Sequence, residues 1–337
     1  MMNTKKQSRG APGSFRLPSW TQSKLLKAAI SVLLLGLLLY KINLGNLARS
    51  LSHVNGAWLA LGVLVFFTAN LASVYKWRLI LKAQRINVSF PYLLSLFYIG
   101  LFFNNFLPSS VGGDVVRIFK LSRKTGRALE ATSSVAMDRA TSSIGLLVIA
   151  AAVAIFQARL LGWQFMTLLG AMIAVALALT WLVISEKAAL RLGGIFRMDP
   201  LGARRHLVNF YYSLHQFQKQ RARVAEVMAV SLVYQSLAIV LVYFLARSLG
   251  IHLAVYYYFL FIPIVLAVSM IPISLNGLGM REGAWVLLFS HVGVSAAAAF
   301  SMSILSLMVL TAVSMSGGVL YLADRTAPAQ EAEIEEG

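Results

Sequence analysis

The sequence contains no cysteine. Disulfide scaffolds, thiolate metal sites and cysteine nucleophiles are therefore excluded, and redox compartment is left open. Charge is also scarce: 12 % of the 337 residues are Asp, Glu, Lys or Arg, against about 25 % in a typical soluble domain. Acid is the scarcer half, with 12 Asp+Glu against 30 Lys+Arg and a net charge of +18. The five histidines show no metal-ligand spacing, and no HExxH, nucleophile elbow or phosphate-binding GxxxxGK loop is present. Gly277 and Gly279 form a GxG, but no strand of dinucleotide-binding type precedes it. Neither a metal nor an organic cofactor is expected.

What the chain does have is apolar surface. Hydrophobic residues make up 58 % of it, and the mean hydropathy is +0.74. A soluble fold of this composition would expose large apolar patches to water. An all-α polytopic integral membrane protein follows. Apolar runs cover 28–40, 57–75, 90–107, 134–156, 163–184, 224–245, 255–275, 284–294 and 297–322. The run at 28–40 follows a basic flank as a signal peptide would, but Lys41, Ile42 and Asn43 replace the small-residue cleavage site, so a retained first helix is expected. Residues 1–23 read as a disordered basic tail, 24–323 as the transmembrane domain and 324–337 as an acidic disordered tail.

Basic residues fix the orientation. Four lie at 76–85 (Lys76, Arg78, Lys82, Arg85), five at 117–127 and eight at 187–223. Placing the rich segments in the cytoplasm puts 24 of the 30 inside and 4 outside, with Arg139 and Arg281 in apolar sequence. Both termini are then cytoplasmic, and anionic lipid head groups are expected at the basic face. The polar segment 186–223 carries Leu207, Tyr211, Leu214 and Phe217 at helical spacing and reads as an amphipathic connector on that face. Binding of nucleic acid is not expected.

The orientation leaves two segments that must enter and leave on one side. They predict re-entrant hairpins turning at 107–113 and 271–279, beside about six full spans near 28–40, 57–75, 131–157, 163–185, 224–246 and 296–322. Eight conventional spans are the alternative. Each broken segment runs apolar helix, Pro, Ser, Gly-rich turn and charged helix start. Pro108 pairs with Pro272, Ser110 with Ser274, and Gly112 and Gly113 with Gly277 and Gly279. Asp114 and Arg117 correspond to Glu282 and Arg281 with the order exchanged. One device entering from opposite faces is what an inverted repeat produces.

Proline ends a helix and glycine lets the chain reverse. Irregular backbone at membrane depth survives only where protein or water satisfies it. Free N–H groups at two half-helix N-termini, meeting near the midplane, would suit a phosphate or carboxylate. Asn104, Asn105 and Asn276 add neutral hydrogen-bonding capacity. Asp138–Arg139 adds a third acid/base set in apolar sequence, where charge is costly unless paired or lining a cavity. Neighbours on a helix do not face each other, so cross-pairing between segments is expected. Plain kinked spans, with charges that only neutralise each other, are the bland alternative.

FFNNFLPSSVGGDVVRIFKLSR at 102–123, MDR at 137–139 and PISLNGLGMREGAWVLLF at 272–289 resemble the lysylphosphatidylglycerol synthase transmembrane-region family, also called the flippase-like domain family. The resemblance runs from about residue 25 to 323. It implies a helical protein of the bacterial inner membrane that moves an anionic or aminoacylated (glyco)phospholipid between leaflets. It does not imply synthase activity, because the soluble synthase domain found in some relatives does not follow here. The head group is expected between the hairpin turns, against Arg117, Arg139 or Arg281, with Asp114, Asp138 and Glu282 balancing charge. A homo-oligomer or a separate lipid-modifying enzyme would be its partner. The rival readings are a membrane transferase on a lipid-linked substrate, with Asp114 or Glu282 as base, and a small-solute secondary transporter.

Overall fold

The computed structural model describes residues 54–106, 112–156, 220–269 and 277–323, and singly Leu33, Gly36, Thr167, Gly170, Phe217 and Ser274. The expected spans at 28–40 and 163–185, both tails, almost all of the 186–223 connector, and Pro108, Ser110, Pro272 and Asn276 lie outside the described residues.

Among the described residues the chain is helical throughout. The first four helices are α1 (Gly56–Ala83), α2 (Phe90–Phe106), α3 (Gly112–Thr125) and α4 (Ala128–Phe156). The next four are α5 (Arg221–Ser248), α6 (Val255–Ser269), α7 (Met280–Ser290) and α8 (Ala296–Ala323). α1, α4, α5 and α8 are long and apolar enough to cross a bilayer. They coincide with four of the six expected full spans. Each has 28 or 29 residues, about 42 Å of helix, which exceeds the roughly 30 Å hydrocarbon layer.

α2, α3, α6 and α7 have 17, 14, 15 and 11 residues and are too short to cross unaided. They form two antiparallel hairpins. In the first, the Tyr92 hydroxyl donates to the Lys120 carbonyl at one end, and Gly100 meets Gly113 at the other. A Cβ on Gly113 would overlap the Gly100 carbonyl, so the crossing needs glycine. In the second, Tyr258 and Phe261 pack on Phe289, with ring centroids 5.5 and 5.2 Å apart, while Gly277 abuts Ser269. Gly277 and Gly279 have φ of +73° and +84°, the left-handed region that a turn requires and other residues resist. The short paired arms fit the expected re-entrant hairpins.

The long–short–short–long order therefore occurs twice, as α1–α4 and α5–α8. The two units meet through α1 and α5, the most extensive helix pair. This pair is antiparallel: the Asn55 N–H donates to the Ser248 carbonyl at one end, and Gln220 Nε2 donates to the Ala83 carbonyl at the other. The units are thus inverted relative to each other, and the hairpins enter from opposite ends. The exchange continues outside the central pair, since α2 packs on α8 and α6 packs on α4.

Local signals set the helix ends. Asn55 Oδ1 accepts from the backbone N–H groups of Ala57 and Trp58 and caps α1. Small residues permit close crossings: Gly62 sits against Leu245, Gly145 against Ser231, and Gly317 against the Tyr98 backbone. Large apolar side chains such as Leu64, Phe67, Val233, Met308 and Val319 point outward, as a hydrocarbon solvent demands. The described basic residues Lys82, Arg85, Arg123, Lys124, Arg127, Arg221 and Arg223 gather where α1 and α3 end and α4 and α5 begin. Lys76 and Arg117 depart from that expectation. They are buried within helices, 0 % and 4 % exposed, rather than in basic loops.

Candidate functional site

The first hairpin delivers charge to the interior. Asn104, near the end of α2, accepts from the Gly113 N–H at 2.8 Å and so caps the start of α3. That places Asp114 in the first turn of α3 and Arg117 one turn later on the same face. Both are buried. α4 brings Asp138 and Arg139, and α1 brings Lys76. Consecutive residues on a helix point about 100° apart. Asp138 accordingly faces inward, buried, while the Arg139 side chain is 55 % exposed at the edge.

Every carboxylate oxygen of this set faces a cation. Asp138 Oδ1 lies 3.0 Å from Lys76 Nζ, and Asp138 Oδ2 accepts from Arg117 Nη2 at 3.3 Å. Asp114 Oδ2 accepts from Arg139 Nε at 2.8 Å. Asp114 Oδ1 accepts from Arg139 Nη2 at 3.0 Å and from Arg117 Nη1 at 3.5 Å. Lys76 also donates to the Asp138 carbonyl and to Ser142 Oγ. The Arg117 guanidinium stacks 4.0 Å over the Trp77 ring, and Trp77 Nε1 donates to Ser134 Oγ at 3.1 Å. α5 closes the side of the set: Gln235 Nε2 donates to the Ser142 carbonyl at 2.7 Å, and the Tyr234 ring lies 5.4 Å from Lys76 Nζ.

Three cations thus meet two carboxylates, leaving one positive charge in excess. Arg117 Nε is buried without an acceptor. Desolvating ions costs several kcal/mol each, which good geometry only partly offsets. A buried network with surplus charge is therefore a poor stabilising device.

The second hairpin handles charge differently. Glu282 occupies the first turn of α7, and its Oε2 accepts from the Gly279 N–H at 2.6 Å. Its Oε1 accepts from Arg281 Nε and Nη2 at 3.0 and 2.6 Å and lies 3.4 Å from Ser303 Oγ on α8. Glu282 is 1 % exposed, while the Arg281 side chain retains 19 %. Around them stand aromatic rings, with Trp285 stacked on Phe289 at 5.2 Å. The acid is answered within its own turn. Ser274 Oγ is buried without a partner.

The sequence-selected residues are distributed as follows. Asp114, Arg117, Asp138 and Arg139 come together, cross-paired between α3 and α4, with Asn104, Gly112 and Gly113 at the adjoining turn. Asn105 is turned away: its Nδ2 donates to Thr311 and Ser314 on α8, tying hairpin to span. Arg281 and Glu282 pair with each other despite being adjacent. Two long side chains can bend to one point when the glutamate already curls back to its helix start. One N–H at each half-helix start is taken, that of Gly113 by Asn104 and that of Gly279 by Glu282. The charges form two sets, each bonded within its own hairpin and neighbouring spans, rather than one set shared between turns. Lys76 was missed, counted with the basic loop. Its only signal was continuity: no breaker separates it from the apolar run, and α1 continues for seven residues beyond it.

The sequence matches the lysylphosphatidylglycerol synthase TM region over residues 24–317. It is 26 % identical over 326 residues to a UPF0104 membrane protein of Pyrococcus horikoshii, covering 90 % of this chain and 97 % of that one. Two UPF0104 membrane proteins of Methanothermobacter thermautotrophicus are also similar. One is 25 % identical over 299 residues, 80 % of this chain and 83 % of its own; the other is 22 % identical over 288 residues, 79 % and 85 %. All three relatives are archaeal. With inverted helical units, two short-armed hairpins and a match over most of its length, the chain belongs to the lysylphosphatidylglycerol synthase transmembrane-region family, multi-pass membrane proteins with a lipid-related role.

Proposed function

We propose that this protein moves an anionic or aminoacylated (glyco)phospholipid between the leaflets of the plasma membrane, a bacterial inner membrane being the expected setting. The head-group phosphate docks on Arg139, backed by Arg117, while the acyl chains stay in the bilayer. The observation that carries this reading is the buried network of Lys76, Asp114, Arg117, Asp138 and Arg139, with its surplus cation and one half-exposed guanidinium. Arg139 can exchange the Asp114 carboxylate for a phosphate with the same bidentate geometry. Anionic head groups gathered at the basic end would supply the substrate. The protein needs no catalytic residue in this role, and the pairing of both Asp114 oxygens with arginine, and of the Glu282 oxygens with Arg281 and the Gly279 N–H, makes the two acids poor candidates for a base.

A leaflet-exchange assay in proteoliposomes tests the reading, using fluorescent phosphatidylglycerol and a membrane-impermeant quencher. Exchange above that of empty liposomes is expected. No exchange of any anionic or aminoacylated lipid by correctly folded protein would defeat it.

A further inference from the structure

Resting on that reading of the first hairpin, we infer that its charge network selects a lipid whose head-group charge is a phosphate and rejects one that adds an ammonium. The carboxylate oxygens of the network already face cations, and the one that makes no hydrogen bond, Asp138 Oδ1, is buried against Lys76 Nζ at 3.0 Å. Both Asp138 oxygens face Lys76 and Arg117, and both Asp114 oxygens face Arg139, with Arg117 near one of them. The element open to a ligand is a donor: the Arg139 side chain is 55 % exposed, whereas Asp114 and Asp138 are 8 % and 7 %. Behind it, Arg117 Nε is buried without an acceptor on a side chain 5 % exposed.

The net charge points the same way. One surplus positive charge is matched by one phosphodiester. An aminoacyl group carrying ammonium would bring like charge against that surplus at low dielectric. An ammonium would have to crowd in beside the cations already on Asp114 and Asp138, or displace one of them. Lys76 sets the balance. Fully buried, it supplies the third cation without itself touching a ligand, so it is a specificity-determining residue rather than a contact. With its charge removed, Arg117 and Arg139 would equal the two carboxylates and the surplus would vanish.

The test measures binding to the whole protein in detergent by native mass spectrometry. The probes are phosphatidylglycerol, lysylphosphatidylglycerol, phosphatidylcholine and inorganic phosphate. Phosphatidylglycerol is expected to bind at least about tenfold more tightly than the lysyl lipid, a difference of about 1.4 kcal/mol. Arg139→Gln should abolish the preference, and Lys76→Met should reduce it while Lys76→Arg preserves it. Arg139 is exposed enough that its change tests the idea even if Lys76→Met fails to fold. Competition by inorganic phosphate, lost in Arg139→Gln, would identify the phosphate group itself as the recognised feature. Lipid binding that free phosphate leaves untouched, yet that still discriminates in wild type alone, would assign recognition to the lipid-borne phosphate. Equal or tighter binding of the lysyl lipid, or a preference unchanged in Arg139→Gln, would overturn the inference. A preference without leaflet exchange would leave it standing and defeat transport; equal exchange of both lipids would do the reverse.

Discussion

Asp114 and Glu282 hold the same place in their hairpins, the third residue of the second arm, yet they meet different surroundings. Asp114 reaches outward across the fold to Arg139 on α4, and through Arg117 it joins Asp138 and Lys76. Glu282 closes on its own turn, bonding Gly279 and Arg281. The long helices explain the contrast. α4 and α1 present Asp138, Arg139 and Lys76 to the first hairpin, while α8 offers the second one Ser303. A repeated backbone device therefore becomes a charge network across helices in one copy and a locally paired acid in the other. The hairpin supplies the geometry, and its neighbours decide the chemistry.

The largest break in this comparison should come from Asp138→Asn. It leaves Lys76 without a countercharge and Arg117 with only Asp114, at 3.5 Å, and such a broken buried pair costs about 3–5 kcal/mol. Thermal unfolding in detergent should register it. The Lys76→Met/Asp138→Asn double variant should lose less than the sum of the singles, because the partners share one network. Next is Gly113→Ala, whose new methyl collides with the Gly100 carbonyl and should cost about 1–3 kcal/mol. Gly283→Ala is its control, since a Cβ there meets nothing within 4 Å.

Glu282→Gln should cost about 1–2 kcal/mol. The amide oxygen keeps an acceptor for the Gly279 N–H, but the ion pair with Arg281 is lost. Arg139→Gln should cost about 1–2 kcal/mol as well, because it leaves the buried Asp114 carboxylate with only Arg117, at 3.5 Å. In lipid binding and exchange its effect should exceed that of Glu282→Gln. Similar costs in stability with unequal effects on lipid sharpen the contrast between the hairpins.

Much of this was readable in the sequence. Hydropathy and loop charge gave four of the described spans and the inversion, because lipid exposure writes itself into long apolar runs. Pro, Gly and charge together marked both hairpins. Asp114, Arg117, Asp138 and Arg139 were identified because charge in apolar sequence is costly enough to need a reason. Lys76 was not, because its position just ahead of Arg78, Lys82 and Arg85 hid it among surface residues. Only the packing of α1 against α4 distinguishes a buried lysine from a loop one. The local closure of Glu282 on Arg281 was likewise hidden, since spacing rules describe where Cβ atoms point and not how long side chains bend back.

The central claim is that the first hairpin holds the substrate's phosphate and the second does not. Leaflet exchange of phosphatidylglycerol by Arg139→Gln and Arg281→Gln, reconstituted side by side at equal folded protein, tests it most directly. The account predicts that Arg139→Gln loses about tenfold or more, equivalent to about 1.4 kcal/mol, while Arg281→Gln stays within about twofold of wild type. Equal loss in both variants, or a wild-type rate in Arg139→Gln, would contradict it.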